Sequence, residues 1–167
     1  SIKPETIVPS LKSHLDVEDL IIPKGLNFEN YNFELSGENY CLNDYSVGEK
    51  INHVDGVTIE DAEHMMATRI WQNTAKVHFD VTQRSDQSRL VYGGHIISLA
   101  RSLSFNGLAN AQLIAAINSG SHVNPCKAGD TVTAWSEILD ISQRHQCMEI
   151  FIINACCLST ILIRKLA

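Results

Sequence analysis

The chain has 167 residues, 44% of them hydrophobic and 19% charged, which suits one domain with a substantial core and is too short for two ordinary ones. Its formal net charge of −6 and pI near 5.6 argue against a nucleic-acid binder working through a broad basic face. No apolar run reaches the roughly 20 residues needed to span a bilayer, and no basic stretch followed by an apolar one opens the chain; the expectation is no membrane span, no secretory leader, and a cytoplasmic or organelle-matrix location.

Residues 1–40 are punctuated by Pro4, Pro9, Pro23 and Gly25 and read as an extended lead or linker, with one short helix at most, in the segment Leu11–Ile21. Phe28, Tyr31, Phe33 and Tyr40 give it aromatic side chains that could dock on the domain behind it. From Val47 to Thr58 the pattern is that of a strand with imperfect alternation. Thr58 and Asp61 then resemble a capping box that opens a helix, with Glu60, Asp61 and Glu63 in its first turn. Ala62, Met65, Met66, Arg69 and Ile70 predict its inward stripe.

Residues 71–92 read as a long polar loop with at most one helical turn. A second helix runs from Gly94 to Gly107, with Ile96, Leu99, Ala100 and Leu103 at helical spacing. Ser98 and Ser102 on its other side are small, so the helix is expected to be buried in a sheet, ending at Asn106-Gly107. Strands are expected over Leu113–Val123, Thr131–Ile141, Met148–Ala155 and Leu158–Lys165, with Asn124-Pro125 and Lys127–Asp130 as the break and turn between the first two. The fold class is α+β, one antiparallel sheet wrapped around a central helix.

Five cysteines (Cys41, Cys126, Cys147, Cys156, Cys157) match no zinc spacing, and the adjacent pair cannot readily bridge; reduced thiols are expected. His53, His64 and His122 have no spacing that makes a metal site. The residue best suited to proton transfer is His78, because an imidazole can give or take a proton near neutral pH. Asn73 can orient water or a carbonyl but cannot act as a base. Asp80 suits a role in holding the loop. Gly93 and Gly94 allow a ligand to approach backbone N–H groups where the helix begins. No nucleophile elbow, phosphate loop or dinucleotide fingerprint is present.

Four motifs in order, Tyr45-Ser-Val-Gly48, the Asn73-to-His78 loop ending in Asp80, Tyr92-Gly-Gly94 and Asn124-Pro-Cys-Lys-Ala-Gly-Asp-Thr131, resemble the MaoC-like dehydratase family, (R)-specific 2-enoyl-CoA hydratases of the hotdog fold. Within that family the chain resembles the branch of mesaconyl-CoA hydratase and β-methylmalyl-CoA dehydratase. The resemblance covers roughly Asn39 to Ile141. It implies a lead over 1–40, a single hotdog over 41–167, and a curved sheet around the Gly94–Gly107 helix.

The resemblance also implies a hydro-lyase acting on a short, branched or dicarboxylic enoyl-CoA. CoA is then part of the substrate, and neither metal nor redox cofactor is expected. Catalytic roles fall on Asn73, His78 and Gly94, with the Gly94 N–H on the thioester oxygen. Substrate contacts fall on Tyr92, Gly93, His95, Lys76 and Arg89. Arg84, Arg101 and Lys127 are further cations available for CoA phosphates. Family members hold water between an aspartate and a histidine five positions later, and here Asn73 takes the aspartate position. Two readings follow: His78 as the sole acid–base group, or a non-catalytic hotdog half that binds acyl-CoA or mediates dimerisation. A thioesterase on the same fold is a third. A homodimer, or pairing with a second hotdog, is expected because one sheet leaves open edges.

Overall fold

A computed structural model describes residues 15–21, 25, 29–111, 113–145, 148–157 and 161–166, with side chains through Ser142. The period-two stretches become five strands, β1 (Lys50–Thr58), β2 (Ala116–His122), β3 (Thr131–His145), β4 (Met148–Cys157) and β5 (Ile161–Leu166). They form one antiparallel sheet in the order β1-β3-β4-β5-β2. Alternation along β3 sets its faces: Val132, Ala134, Ser136 and Ile138 are buried, while Thr133, Trp135 and Glu137 between them are half-buried. That is the pleat of a strand with one face on a core. On its other face Lys50 of β1 sits 5.6 Å over the Trp135 ring, a cation–π contact.

The helix lying on the inner face is α3 (Gly93–Leu103), which touches β1, β3, β4 and β5. Its Ile96 and Ala100 join Ile59, Val91, Cys126, Val132 and Ala134 in the main core cluster. Full burial of a side chain such as Ile96 contributes about 1.5–3 kcal/mol. A second cluster, Leu42, Leu108 and Ile138, closes the far end. The helix stops before the expected Asn106-Gly107: a short turn α4 (Phe105–Leu108) follows Ser104, with Asn106 and Gly107 outside helical angles. The helix packs on the sheet as expected, with one side left open, since Ser98 and Ser102 are exposed.

Before β1 the lead makes a four-residue turn, α1 (Phe33–Ser36), and is bolted to the end of α3. The Glu38 carboxylate accepts the Gly107 and Ala109 N–H groups at 2.7 and 2.8 Å. Tyr31 donates to Asn110 Oδ1 at 2.6 Å, and Tyr45 to the Gly107 carbonyl at 2.7 Å. Burial, with Glu38 beside it, pushes the Tyr45 phenol above its ordinary value. Of the weak helix expected over Leu11–Ile21, residues 11–14 lie outside the described residues and Val17–Asp19 form a single 3-10 turn. Phe28 also lies outside them.

Helix α2 (Asp61–Ile70) corrects two details. Its start is capped by Glu63, whose carboxylate accepts the Glu60 N–H at 3.4 Å, rather than by Thr58 with Asp61; Thr58 pairs with Thr131 across the sheet at 2.8 Å. Its inward face is His64, Met65 and Thr68, whereas Met66 and Ile70 are exposed. Apolar content pointed to the wrong face because two buried polar side chains satisfy part of their hydrogen bonding locally: Thr68 to the His64 carbonyl at 2.8 Å and His64 to Asp61 at 3.0 Å.

Cys41 is exposed and Cys126 is buried in the core. Cys147 lies outside the described residues, and the side chains of Cys156 and Cys157 are beyond the described side chains.

Candidate active site

Tyr92 caps α3 with an extended backbone, and Gly93 and Gly94 are the helix's first two residues. The N–H groups at these positions have no acceptor within a helix, and among the described residues neither finds one elsewhere. The next two, of His95 and Ile96, both point to the Tyr92 carbonyl, at 2.9 and 3.4 Å. Two unpaired donors at the positive end of an eleven-residue helix suit an oxygen that gains negative charge. Tyr92 fills the space over the second: a Cβ on Gly94 would lie 2.6 Å from its ring and push it aside.

The loop before α3 brings His78 to Tyr92. Lys76–His78 form one 3-10 turn and Val81–Gln83 another, which is more local helix than the single turn expected. Asn73 starts the loop: its N–H donates to Thr68 at 3.0 Å, and its Oδ1 accepts the Ala75 N–H at 2.9 Å. Asp80 closes it by accepting from Thr82 and Gln83, bonds that hold its carboxyl below the usual carboxylate range. The Leu90 N–H donates to the Val77 carbonyl at 3.0 Å, and His78 Nδ1 lies 3.0 Å from the Leu90 carbonyl. A carbonyl only accepts, so Nδ1 carries the proton and Nε2 of the neutral ring is the acceptor. The His78 ring meets the Tyr92 ring edge-on, with centroids 5.9 Å apart. Phe79, 39% exposed, leaves its side of the loop open to water.

The Asn124–Thr131 motif anchors the same region. Val91 donates to the Cys126 carbonyl at 2.8 Å, Gly129 to the Ile59 carbonyl at 2.8 Å, and Ile59 back to Asp130 at 3.0 Å. The turn therefore ties the starts of α2 and α3 to the sheet.

Other nominated residues face α2 or each other. Arg89 pairs with Asp61, and buried His95 lies with Nε2 3.2 Å from Glu63 Oε1, without hydrogen-bond alignment. Arg84 and Lys127 share Asp86 at 2.9 and 2.7 Å, which holds that carboxyl far below its ordinary value. Arg101 donates to the Ala111 carbonyl at 2.7 Å and to Ser104 at 3.0 Å. Lys76 is exposed on the His78 turn. Among the described residues no group of three or more His, Cys, Asp or Glu side chains could hold a metal ion, and no helix is long and apolar enough to cross a membrane.

The α2 cluster makes stability depend on pH. His64 is fully buried, with Nε2 on Asp61 and Nδ1 unpartnered. Burial holds this imidazole below its ordinary value; Asp61 opposes that, and Arg89 and His95 reinforce it. A depressed histidine contributes stability above its unfolded value, about pH 6.5, that is lost as pH falls toward the folded one. For Asp61, burial acts upward, but hydrogen bonds from His64 and Arg89 prevail and lower it, so its contribution fades only below about pH 4. The thermal midpoint is expected to drop between pH 7.5 and 5.5, and to drop less in His64→Gln. Equal losses in both proteins would assign the effect elsewhere.

One residue at this site had no sequence signal. His122, the last of β2, lays its imidazole against Gly93: a Cβ built there would lie 2.1 Å from His122 Cε1. Only the sheet order brings it to the start of α3.

This chain is 64% identical over 137 residues to mesaconyl-CoA hydratase of Cereibacter sphaeroides, covering 82% of this chain and 40% of that protein. It is 63% identical over 139 residues to β-methylmalyl-CoA dehydratase of Chloroflexus aurantiacus, covering 81% of this chain and 40% of the relative. A solved MaoC domain protein of Chloroflexus aurantiacus superposes with a TM-score of 0.84 at 46% identity, over 99% of this chain and 54% of that one. The chain belongs to the MaoC-like dehydratase family. The MaoC-like dehydratase from Rhodospirillum rubrum matches its fold with a TM-score of 0.66 at 18% identity, over 77% of this chain and 94% of that one. A Mycobacterium tuberculosis double-hotdog protein matches at 0.52 and 15% identity, over 75% of this chain and 41% of that one. The sheet and its helix are a hotdog. No family model matches the chain. This MaoC-like chain spans about two fifths of the curated relatives it matches.

Proposed function

We propose that the chain forms one hotdog of an acyl-CoA hydratase/dehydratase, adding water reversibly across the double bond of a short, branched or dicarboxylic 2-enoyl-CoA. The observation that carries this reading is the His78 ring. Its Nδ1–H is held by the Leu90 carbonyl, its Nε2 is left to accept, and its edge lies on the residue that caps α3. Relatives named for mesaconyl-CoA and β-methylmalyl-CoA support the acyl class.

In the forward direction a water proton passes to His78 Nε2 while the water oxygen bonds to the β-carbon. The electron pair of the double bond moves onto the thioester oxygen, where the Gly94 N–H donates. The proton then goes to the α-carbon, closing the thioester carbonyl again. Asn73 keeps Oδ1 on the Ala75 N–H and offers its NH₂ to position the water. CoA is part of the substrate, and the scheme calls on no metal or redox cofactor. A second hotdog, supplied by another copy of the chain, covers what a lone sheet leaves open. Light scattering at micromolar concentration is expected to give a dimer; a monomer overturns that pairing.

The test is turnover of mesaconyl-CoA and crotonyl-CoA by the purified chain and by Asn73→Asp, following loss of the enoyl chromophore and, separately, free thiol. The parent is expected to hydrate without releasing CoA. Asn73→Asp retains the acceptor for Ala75 and adds a carboxylate base, so kcat/KM for crotonyl-CoA is expected to rise about tenfold. CoA release would indicate a thioesterase, and binding without turnover would favour the non-catalytic half. The second reading has one observation behind it: the Asn73 carbonyl is already engaged in the loop's turn.

A further inference from the structure

We propose that His122 recognises a free carboxylate on the acyl group and so sets the preference for dicarboxylic over monocarboxylic enoyl-CoA. This inference rests on the hydratase reading of the same site. Four observations support it.

The first is position. The His122 ring lies against the Cα of Gly93, the first residue of α3, with its Nδ1 2.9 Å from where a Cβ would stand. Gly93 is the residue before Gly94, so this ring stands one residue from the proposed oxyanion donor. Tyr92 occupies the corresponding space over Gly94. The start of α3 is thus lined by Tyr92 with His78 behind it, and by His122.

The second is availability. His122 is exposed, and among the described residues it has no hydrogen bond or ion pair. An exposed imidazole can donate an N–H, and in its cationic form a charge-assisted one, to a carboxylate.

The third is elimination. Arg89 is held by Asp61, Arg84 and Lys127 by Asp86, Arg101 by Ala111 and Ser104, and His95 is buried toward Glu63. His78 has its Nδ1–H on Leu90. Lys76 stays exposed on the His78 turn; His122 is the imidazole in contact with Gly93 that has no partner among the described residues.

The fourth is the field. A carboxylate beside His122 also meets the positive end of α3, where the Gly93 N–H has no acceptor among the described residues. Glycine at 93 is what admits the imidazole; any larger residue would displace it.

The experiment compares mesaconyl-CoA with its isostere bearing a methyl in place of the free carboxylate. It measures kcat/KM and equilibrium Kd in the parent, His122→Gln, His122→Ala and His122→Arg. The expected result is a fall of about tenfold or more in the ratio of kcat/KM for the dicarboxylic over the monocarboxylic substrate in Gln and Ala, carried mainly by KM and matched in Kd, with Arg restoring part of it. Far-UV circular dichroism and thermal melts establish that the variants fold. A ratio that stays at the parent's value in folded His122→Ala overturns the role of His122 and leaves the hydratase reading intact. Binding with the same His122-dependent preference but no turnover removes the hydratase reading and upholds carboxylate recognition. Binding of neither thioester by the parent overturns both.

Discussion

His78→Ala is expected to lower kcat/KM for mesaconyl-CoA by about 10²–10⁴-fold, the range for loss of a positioned acid–base group, with the loss in kcat rather than KM. The chain is expected to stay folded. The ring is half-buried, makes one hydrogen bond to the Leu90 carbonyl and one edge contact with Tyr92, and the turn that carries it is closed by backbone bonds of Ala75, Lys76 and Val77. His78→Gln can keep a donor toward Leu90 yet has no group that titrates near neutral pH. It should therefore be as inactive as alanine if His78 moves the proton. If instead the ring only props Tyr92 over Gly94, glutamine should recover much of the rate. The two variants, assayed by loss of the enoyl chromophore and checked by thermal melts, separate those roles.

The largest expected loss of stability comes from a residue remote from that chemistry. His53→Leu is expected to destabilise the fold by about 3 kcal/mol, measured by urea unfolding, although leucine fills a similar volume. His53 is wholly buried on β1, with Nδ1 2.6 Å from the Asn106 carbonyl and Nε2 2.7 Å from Ser136 Oγ. The carbonyl fixes the proton on Nδ1, so Ser136 donates to Nε2. Leucine leaves both groups short of a partner, at about 1–3 kcal/mol for each buried one. Ser136→Ala alone should cost about 1 kcal/mol, and the double variant should lose less than the sum of the singles, because Ser136 is already unpartnered once His53 is gone. Strict additivity would show that the pair is not coupled.

The same network explains a distortion in β1. The register with β3 shifts between Asn52 and Gly56, and Val54 takes a φ of +63°, a conformation unfavourable for a β-branched residue. Asn52 accepts the Val54 N–H at 3.1 Å, and Asn106 donates to the His53 carbonyl at 3.2 Å and to Asp55 at 2.6 Å. The bulge is held from both sides, and it seats β1 on the kink that ends α3.

Along β3 and α3, legibility followed pattern strength. Alternation from Thr131 and helical spacing from Ile96 to Leu103 report burial directly, because each buries aliphatic side chains on one face. Helix α2 was misread for the converse reason. Its inward face carries His64 and Thr68, and composition cannot show that a polar side chain is satisfied within its own helix. The bulge at Val54 was illegible because two of its hydrogen bonds come from Asn106, more than 50 residues away.

The site divides in the same manner. Sequence alone determined the histidine loop, the paired glycine at a helix start, and the family order of motifs, since these are local: a turn, a cap and a spacing of five residues. It also determined that Asn73 rather than a carboxylate stands before His78. Tertiary structure alone decided which tautomer His78 holds, because the Leu90 carbonyl reaches it by loop closure. It decided which cations are free, because Asp61 and Asp86 come from other segments to engage Arg89, Arg84 and Lys127. It brought His122 to Gly93, because the antiparallel order sets the end of β2 beside the start of α3. Proton positions, charge pairing and neighbours across a sheet depend on groups far apart in the chain, and no local pattern of residues encodes them.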